Sequence, residues 1–326
     1  MISSTIRVYL RLSAASLLLL STMAAVAENY PARPLRFILP YPPGGGNDFV
    51  ARVLATRLAE SIRQQVVIDN RGGAHGIIAT ELTAKAPPDG YTIFMAGTGH
   101  AINPYMYKKL PYDSVKDFAP VSLADVAPNV LSLHPSVPAA SVRELIALAK
   151  AKPGTLSFGS SGGGGNTHLA GELLKLLADI DMVHVPYRGT GPAVTALLSG
   201  EVQIMFSTLP PVLAQIRAGR LRALAVTGAK RTAAAPELPT IAEAGVSNYE
   251  ATGWWGVLMP GNTPPAIVMA LNAEIVKVLS ADATKAQLAR DGIEATPSTP
   301  EQFAAHMRKE GIKWAAVIKA ANIQGD

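Results

Sequence analysis

Three turns in this chain combine glycines with side chains able to hold an anion. The first is Tyr41-Pro42-Pro43-Gly44-Gly45-Gly46-Asn47-Asp48. Its glycines let the backbone approach a bound group closely, and their exposed N–H groups favour negative charge. Asp48 could cap the following helix or pin the loop, and a tight structural turn would use the same residues. Neither the Walker P-loop nor the dinucleotide fingerprint is present here. The second turn is Gly159-Ser160-Ser161-Gly162-Gly163-Gly164-Gly165-Asn166-Thr167-His168. Two hydroxyls, an amide and free backbone N–H groups there could surround a carboxylate. His168 falls in a first helical turn, where the dipole disfavours imidazolium, so a neutral ring making one hydrogen bond is expected. The third turn, Ala96-Gly97-Thr98-Gly99-His100-Ala101-Ile102-Asn103, adds Thr98 and His100. Tyr187-Arg188-Gly189-Thr190-Gly191-Pro192 is similar, with Arg188 either pairing a carboxylate or lying on the surface. Trp254-Trp255 reads as packing and hinge.

Catalysis fares less well. Gly159-Ser160-Ser161-Gly162-Gly163 matches the G-x-S-x-G nucleophile elbow, but the elbow needs its helix directly after the serine. Here Gly163, Gly164, Gly165 and Asn166 intervene. His184 on a strand and His306 on a distant helix have no evident orienting acid. No histidines stand four apart and no carboxylates have loop-ligand spacing, so no metal is expected. The absence of cysteine excludes disulfides, thiolate metal sites and Cys nucleophiles. No enzyme activity and no cofactor are expected.

Strands and helices must alternate to place these turns. Leu35–Leu39, Val66–Asp69 and Thr92–Met95 read as strands, with helices over Asn47–Ile62 and Ile77–Ala86 between them, which implies a parallel sheet. The middle repeats the grammar. Ser141 and Glu144 make a capping box for a helix to about Lys152. Strands follow at Leu156–Phe158, Met182–Val185, Val202–Phe206 and Leu221–Val226, with helices Thr167–Leu177, Pro192–Ser199 and Pro211–Ala218. Pro264 to about Ala321 is mostly helical. Long β-rich stretches at Phe118–Leu133 and Trp254–Met259 suggest two crossings between α/β domains, with ligands bound beyond the strands' carboxyl ends. The expected division is 28–124 plus 253–326 for one domain and 125–252 for the other.

The chain has 326 residues, 48 % hydrophobic and 16 % charged, enough for a substantial core. Its net charge of +5 comes without basic clusters interleaved with aromatics, so nucleic acid is not expected as a partner. Arg7 and Arg11, the apolar run around Leu17–Leu20 and the small residues Ala25-Val26-Ala27 read as a signal peptide over 1–27, cleaved after Ala27. A periplasmic protein follows from that reading.

Ordered motifs along the whole remaining chain carry a resemblance. Tyr30-Pro31-Ala32-Arg33-Pro34, Pro40-Tyr41-Pro42-Pro43-Gly44-Gly45-Gly46-Asn47-Asp48, Asp69-Asn70-Arg71 and Pro88-Asp89-Gly90-Tyr91-Thr92 open the series. His100-Ala101-Ile102-Asn103-Pro104, His184-Val185-Pro186-Tyr187-Arg188-Gly189-Thr190-Gly191-Pro192 and Leu238-Pro239-Thr240-Ile241 continue it, and Pro260-Gly261-Asn262-Thr263-Pro264 closes it. The sequence resembles Bug-type extracytoplasmic solute-binding receptors of the tripartite tricarboxylate transporter family. That resemblance implies an α/β, two-domain clamshell of the type II-like periplasmic-binding-protein kind, with a cleft between domains and two crossover strands. It implies a small organic anion, commonly a carboxylate, as ligand, and permease subunits of the transporter as membrane partners. A monomer is expected. The alternatives are an accessory protein presenting the ligand to a sensor kinase, and a periplasmic serine hydrolase. The expected ligand-binding residues are Tyr41, Gly44, Gly45, Gly46, Asn47, Asp48, Thr98, His100, Ser160, Ser161, Gly162, Asn166, Thr167, His168, Tyr187, Arg188 and Ser207. Two departures stand out. Gly72-Gly73-Ala74-His75-Gly76 replaces the usual Pro-Gly-Ala-Gly-Gly, and Ser207 stands where the family usually has Asp.

Overall fold

The structure, a computed structural model, describes residues 30–324, so the leader read at 1–27 lies outside the described residues. The opening alternation forms β1 (Leu35–Leu39), α1 (Gly46–Ile62), β2 (Val66–Asn70), α2 (Ile77–Ala84) and β3 (Thr92–Gly97). β1 runs parallel to both neighbours, with Leu35 opposite Val66 and Arg36 opposite Thr92. Leu35, Phe37 and Leu39 share one core cluster with Leu54 and Leu58 of α1, and Ile38 joins Phe94 and Trp254 in another. β3 is buried along its whole length and β1 everywhere but Arg36, which is why both read as apolar, whereas β2 at the sheet edge has no buried residue.

The next segment departs from expectation. The turn after β3 is a helix, α3 (Thr98–Met106), despite Gly99 and an internal Pro104. Those two residues hid it, because both oppose helix in a short window. β4 (Phe118–Leu133) then occupies the full stretch expected for the first crossing.

The second unit comprises α4 (Val142–Ala151), β5 (Ser157–Ser160), α5 (Asn166–Ala178), β6 (Val183–Pro186), α6 (Thr190–Ser199), β7 (Ile204–Thr208), α7 (Pro210–Arg217) and β8 (Arg222–Val226). β9 (Thr252–Pro260) returns, followed by α8 (Pro265–Ser280), α9 (Asp282–Ala289), β10 (Glu294–Ala295) and α10 (Pro300–Ala320). The sheet path is β2-β1-β3-β9-β4-β7-β5-β6, with β8 and β10 also on β4. From Phe118 to Pro128, β4 pairs antiparallel with β9, and from Asn129 to Leu133 it pairs with β7 and β8. Pro128 thus sits where the strand changes partners, a point at which a missing N–H disturbs the ladder least.

Ser141 Oγ accepts from the Glu144 N–H at 3.2 Å, while the Glu144 carboxylate accepts from Ala140 N at 2.7 Å. The Ser141 half of the expected box therefore forms, and the return bond lands one residue earlier. α10 does not stay with one lobe. Phe303 near its start belongs to the cluster of Phe94 and Trp254, whereas Trp314, Val317 and Ile318 share a cluster with Leu131, Phe158 and Leu169 of the second unit. Among the described residues no helix is long and apolar enough to cross a membrane.

Candidate functional site

α1, α3, α5 and α6 all start at one place between the lobes. Their N-caps are Gly45, Gly97, Gly165 and Gly189, and none has a side-chain cap. The N–H groups of a helix's first turn have no partner within the helix, and each helix start carries about half a positive charge. Four such starts face a cavity of ≈60 Å³, room for about four waters. Tyr41, Gly45, Gly46, Asn47 and Thr98 line it from one lobe, and Ser161, Asn166, Thr167, Thr190, Ser207 and Thr208 from the other. Asn129, at the partner switch of β4, and Trp254 and Trp255 of β9 complete the wall. The lining holds no Asp, Glu, Lys, Arg or His.

Unpaired polar atoms gather around this cavity. Both side-chain polar atoms of Asn47 and Asn129, Thr98 Oγ1, Asn166 Oδ1, Ser207 Oγ and Trp254 Nε1 are buried without a hydrogen-bond partner. Buried polar groups are normally paired, and each unpaired one costs about 1–3 kcal/mol. The lobes meet closely here. A Cβ on Gly46 would lie 2.5 Å from Thr208 Oγ1 and 2.9 Å from the Trp255 ring, and one on Gly45 would lie 3.0 Å from Thr190 Oγ1. Only glycine allows this approach at Gly46.

Several expected contacts do not reach the cavity. Asp48 pins the first loop. It pairs with Arg52 at 2.9 and 3.0 Å and accepts from Gly44 N at 3.1 Å and Asn70 Nδ2 at 3.2 Å. Burial alone would raise its pKa, but bonds from Arg52, Gly44 and Asn70 outweigh that and hold it below the usual carboxylate value. Gly44, at φ 92°, supplies the left-handed turn behind it and lines neither opening. Ser160 is fully buried, with Oγ 2.9 Å from the Gly162 carbonyl and 2.7 Å from His184 Nε2. His168 accepts at Nδ1 from Gly164 N at 2.8 Å and stacks on His184 at 3.6 Å. Burial first, then the charges of His168, Lys175 and His75, push His184 down to about 3, so it is neutral. These residues shape the second loop from behind.

His100 lies elsewhere. Its Nε2 is 3.0 Å from the Ser114 carbonyl, its ring meets Phe118 edge-on at 4.8 Å, and burial pushes it down to about 4. Gly162, Tyr187 and Arg188 line a wider groove outside the cavity, with His75 and Lys109. The Tyr187 hydroxyl donates to Glu201 at 2.7 Å. The nucleophile-elbow serine is also accounted for. Ser161 Oγ contacts Thr167 Oγ1 at 3.1 Å, while His184 goes to its buried neighbour Ser160, which lines neither opening. Among the described residues no His, Asp or Glu cluster could hold a metal ion.

Asn129, Thr190, Thr208, Trp254 and Trp255 were missing from the sequence-derived set. Asn129 left one signal, an amide inside the apolar run Val126–Leu133. The tryptophan pair was read as packing, and it both packs and lines the cavity.

The family profile described as the tripartite tricarboxylate transporter family receptor matches residues 50–323. The chain belongs to that family. It is 41 % identical over 299 residues to the protein of the tcbD-tcbE intergenic region of Pseudomonas sp. strain P51, covering 91 % of this chain and 89 % of that one. It is 38 % identical to BugT of Bordetella pertussis, covering 90 % of each. Among solved structures, R. palustris Rpa4515 with adipate superposes with a TM-score of 0.88 at 38 % identity, covering 90 % of this chain and 99 % of that one. MatC from Rhodopseudomonas palustris with bound malate gives 0.83 at 29 % identity, covering 89 % and 100 %. The two-domain α/β architecture of solute-binding proteins is shared with these structures, as it is with the periplasmic binding protein BugD, at a TM-score of 0.85 and 31 % identity, covering 90 % and 99 %.

Proposed function

We propose that this receptor works in the periplasm, where it captures a small organic carboxylate between its lobes and passes it to the membrane subunits of a tripartite tricarboxylate-type transporter. One observation carries the reading: four glycine-capped helix starts converge on a cavity with no Asp, Glu, Lys, Arg or His side chain. Backbone N–H groups and helix dipoles favour an anion without a fixed cation. The neighbouring hydroxyls and amides supply orientation. Two charge-assisted hydrogen bonds, at about 1.5–3 kcal/mol each, already exceed the cost of one unpaired group. Adipate and malate, found in related structures, are the first ligands to try.

Capture needs no chemistry. The anion docks on the first lobe at Gly45, Gly46 and Thr98. The second lobe then closes, bringing Ser161, Asn166, Thr190 and Ser207 onto it. Contacts made only in the closed state shift the population towards it. The test is a thermal-shift and calorimetry panel of adipate, malate, monocarboxylates and the matching neutral amides. A ligand at 100 times its Kd adds about 2.7 kcal/mol of apparent stability. A response confined to carboxylates is expected. Equal response to the amides, or silence across the panel, overturns the reading.

A further inference from the structure

Four successive residues of the first lobe run left-handed. Gly73, Ala74, His75 and Gly76 have φ of 123°, 44°, 52° and 83°, and Gly76 N donates to the Gly73 carbonyl at 2.9 Å. That backbone region is costly for any residue with a Cβ. Among the described residues, no other two consecutive non-glycine residues share it. Such strain persists only where surrounding contacts hold it, and it gathers at clamps and switches. The turn lines the wide groove, which shares Tyr41, Pro42, Ser161, Gly165 and Gly189 with the anion cavity and so adjoins it.

α3 fixes the turn from one side. Asn103 Nδ2 donates to the His75 carbonyl at 3.4 Å, and the Tyr107 hydroxyl, at the end of α3, meets His75 Nδ1. The far edge of the imidazole reaches the second lobe. A Cβ on Gly163 would lie 3.0 Å from His75 Nε2 and 3.6 Å from its Cε1, and one on Gly164 would overlap Met106 of α3. Part of the glycine run after β5 thus leaves room for first-lobe side chains and not for a ligand.

We propose that His75 is a positioning residue for capture: its ring, aimed by the left-handed turn, seats on Gly163 and latches the lobes together. The latch lengthens the time a captured anion is held. Its effect on a ligand rests on the capture reading, but the contact joins the lobes with or without one.

His75→Gly tests this, because glycine keeps the turn at φ 52° and removes the ring. Gly163→Ala, where φ is not left-handed, crowds the ring from the other side. Stopped-flow release of adipate and malate is expected to quicken about fivefold in each variant. The double variant should release no faster than either single one, as for two residues acting through one contact. The chain has no cysteine, so spin labels at Glu60→Cys and Lys150→Cys, both exposed and one on each lobe, report the lobe separation. Without ligand, His75→Gly should extend that distance distribution to longer values. A parental release rate in His75→Gly, additive effects in the double variant, or an unchanged distance distribution each overturns the latch. Absence of any carboxylate binding overturns the capture reading instead, and the label distances then decide the latch alone. Should Gly163→Ala misfold, His75→Gly decides by rate and distance.

Discussion

α4 and α10 begin with a side chain folded over the first turn, Ser141 on Glu144 and Thr299 on Gln302. α1, α3, α5 and α6 begin after bare glycines. The first pair, remote from the cavity, satisfies its own N–H groups, and its caps serve stability. The second group leaves its first turn without a side-chain cap beside the cavity. α2, α7, α8 and α9 also start without a side-chain cap, so what marks the cavity is the convergence of four open glycine starts and not an open start by itself.

Substitutions that move a helix start from one class to the other test the contrast. The largest effect is expected at Gly46. Gly46→Ala places a methyl 2.5 Å from Thr208 Oγ1 across the cleft and should weaken carboxylate binding at least a hundredfold by calorimetry. Near-normal affinity would show that the lobes need not approach this closely. Next is Gly165→Asp, at a backbone position in the β region (φ −78°) where a Cβ meets nothing nearer than 3.7 Å. The new carboxylate should cap α5, raise stability by a few tenths of a kcal/mol and occupy the donors meant for the ligand. Affinity should fall more than tenfold while the melting temperature of the ligand-free protein holds or rises. Unchanged affinity would remove α5 from the anion site.

Ser141→Ala is the converse. It should cost about 1 kcal/mol of stability and leave affinity untouched. Asp125, on β4, sharpens the scaffold side further. Both its oxygens are buried and unpaired, and burial raises its pKa well above the usual value. A carboxyl raised in the folded state contributes fully only below its unfolded pKa of about 3.9, and that contribution is lost as pH rises. Asp125→Asn should therefore gain stability over the parent as pH goes from 4 to 7, read by urea melts at each pH. A gap that does not widen would mean the carboxyl is not buried uncharged. The smallest effect is a null one. With no Asp, Glu, Lys, Arg or His in the lining, Tyr41 pushed up to about 12 by burial and His184 neutral above about 3, affinity for a fully ionised carboxylate should stay flat from about pH 6 to 8. A steep slope there would point to a titrating group in the wall.

Much of this layout was legible from residues. β1 occupies the span read from its apolar run, which burial explains, and β4 fills the β-rich stretch read as the first crossing. The strand-end turns gave Gly45, Asn47, Thr98, Ser161 and Asn166, since loop chemistry is written locally. Other positions depend on tertiary context. Asp48 and His168 have the right types in the right turns, yet their partners, Arg52 and Gly164, turn them away from the cavity. Asn129 and Trp254 sit in strands, where only the crossing of β4 and β9 decides what they face. α3 was hidden by Gly99 and Pro104, so His100 was placed in a loop at the ligand when it belongs to a packed helix.

The path of α10 decides how firmly the two lobes are joined. Two adjacent strands of one sheet form a ribbon, and a ribbon can twist as easily as it bends. α10 is a third link, in a different layer, with Phe303 set in the core of one lobe and Trp314 in that of the other. A third attachment off the line of the other two stiffens the junction against twisting and bending alike, and any relative movement of the lobes must bend α10 or slide it over one of the two cores.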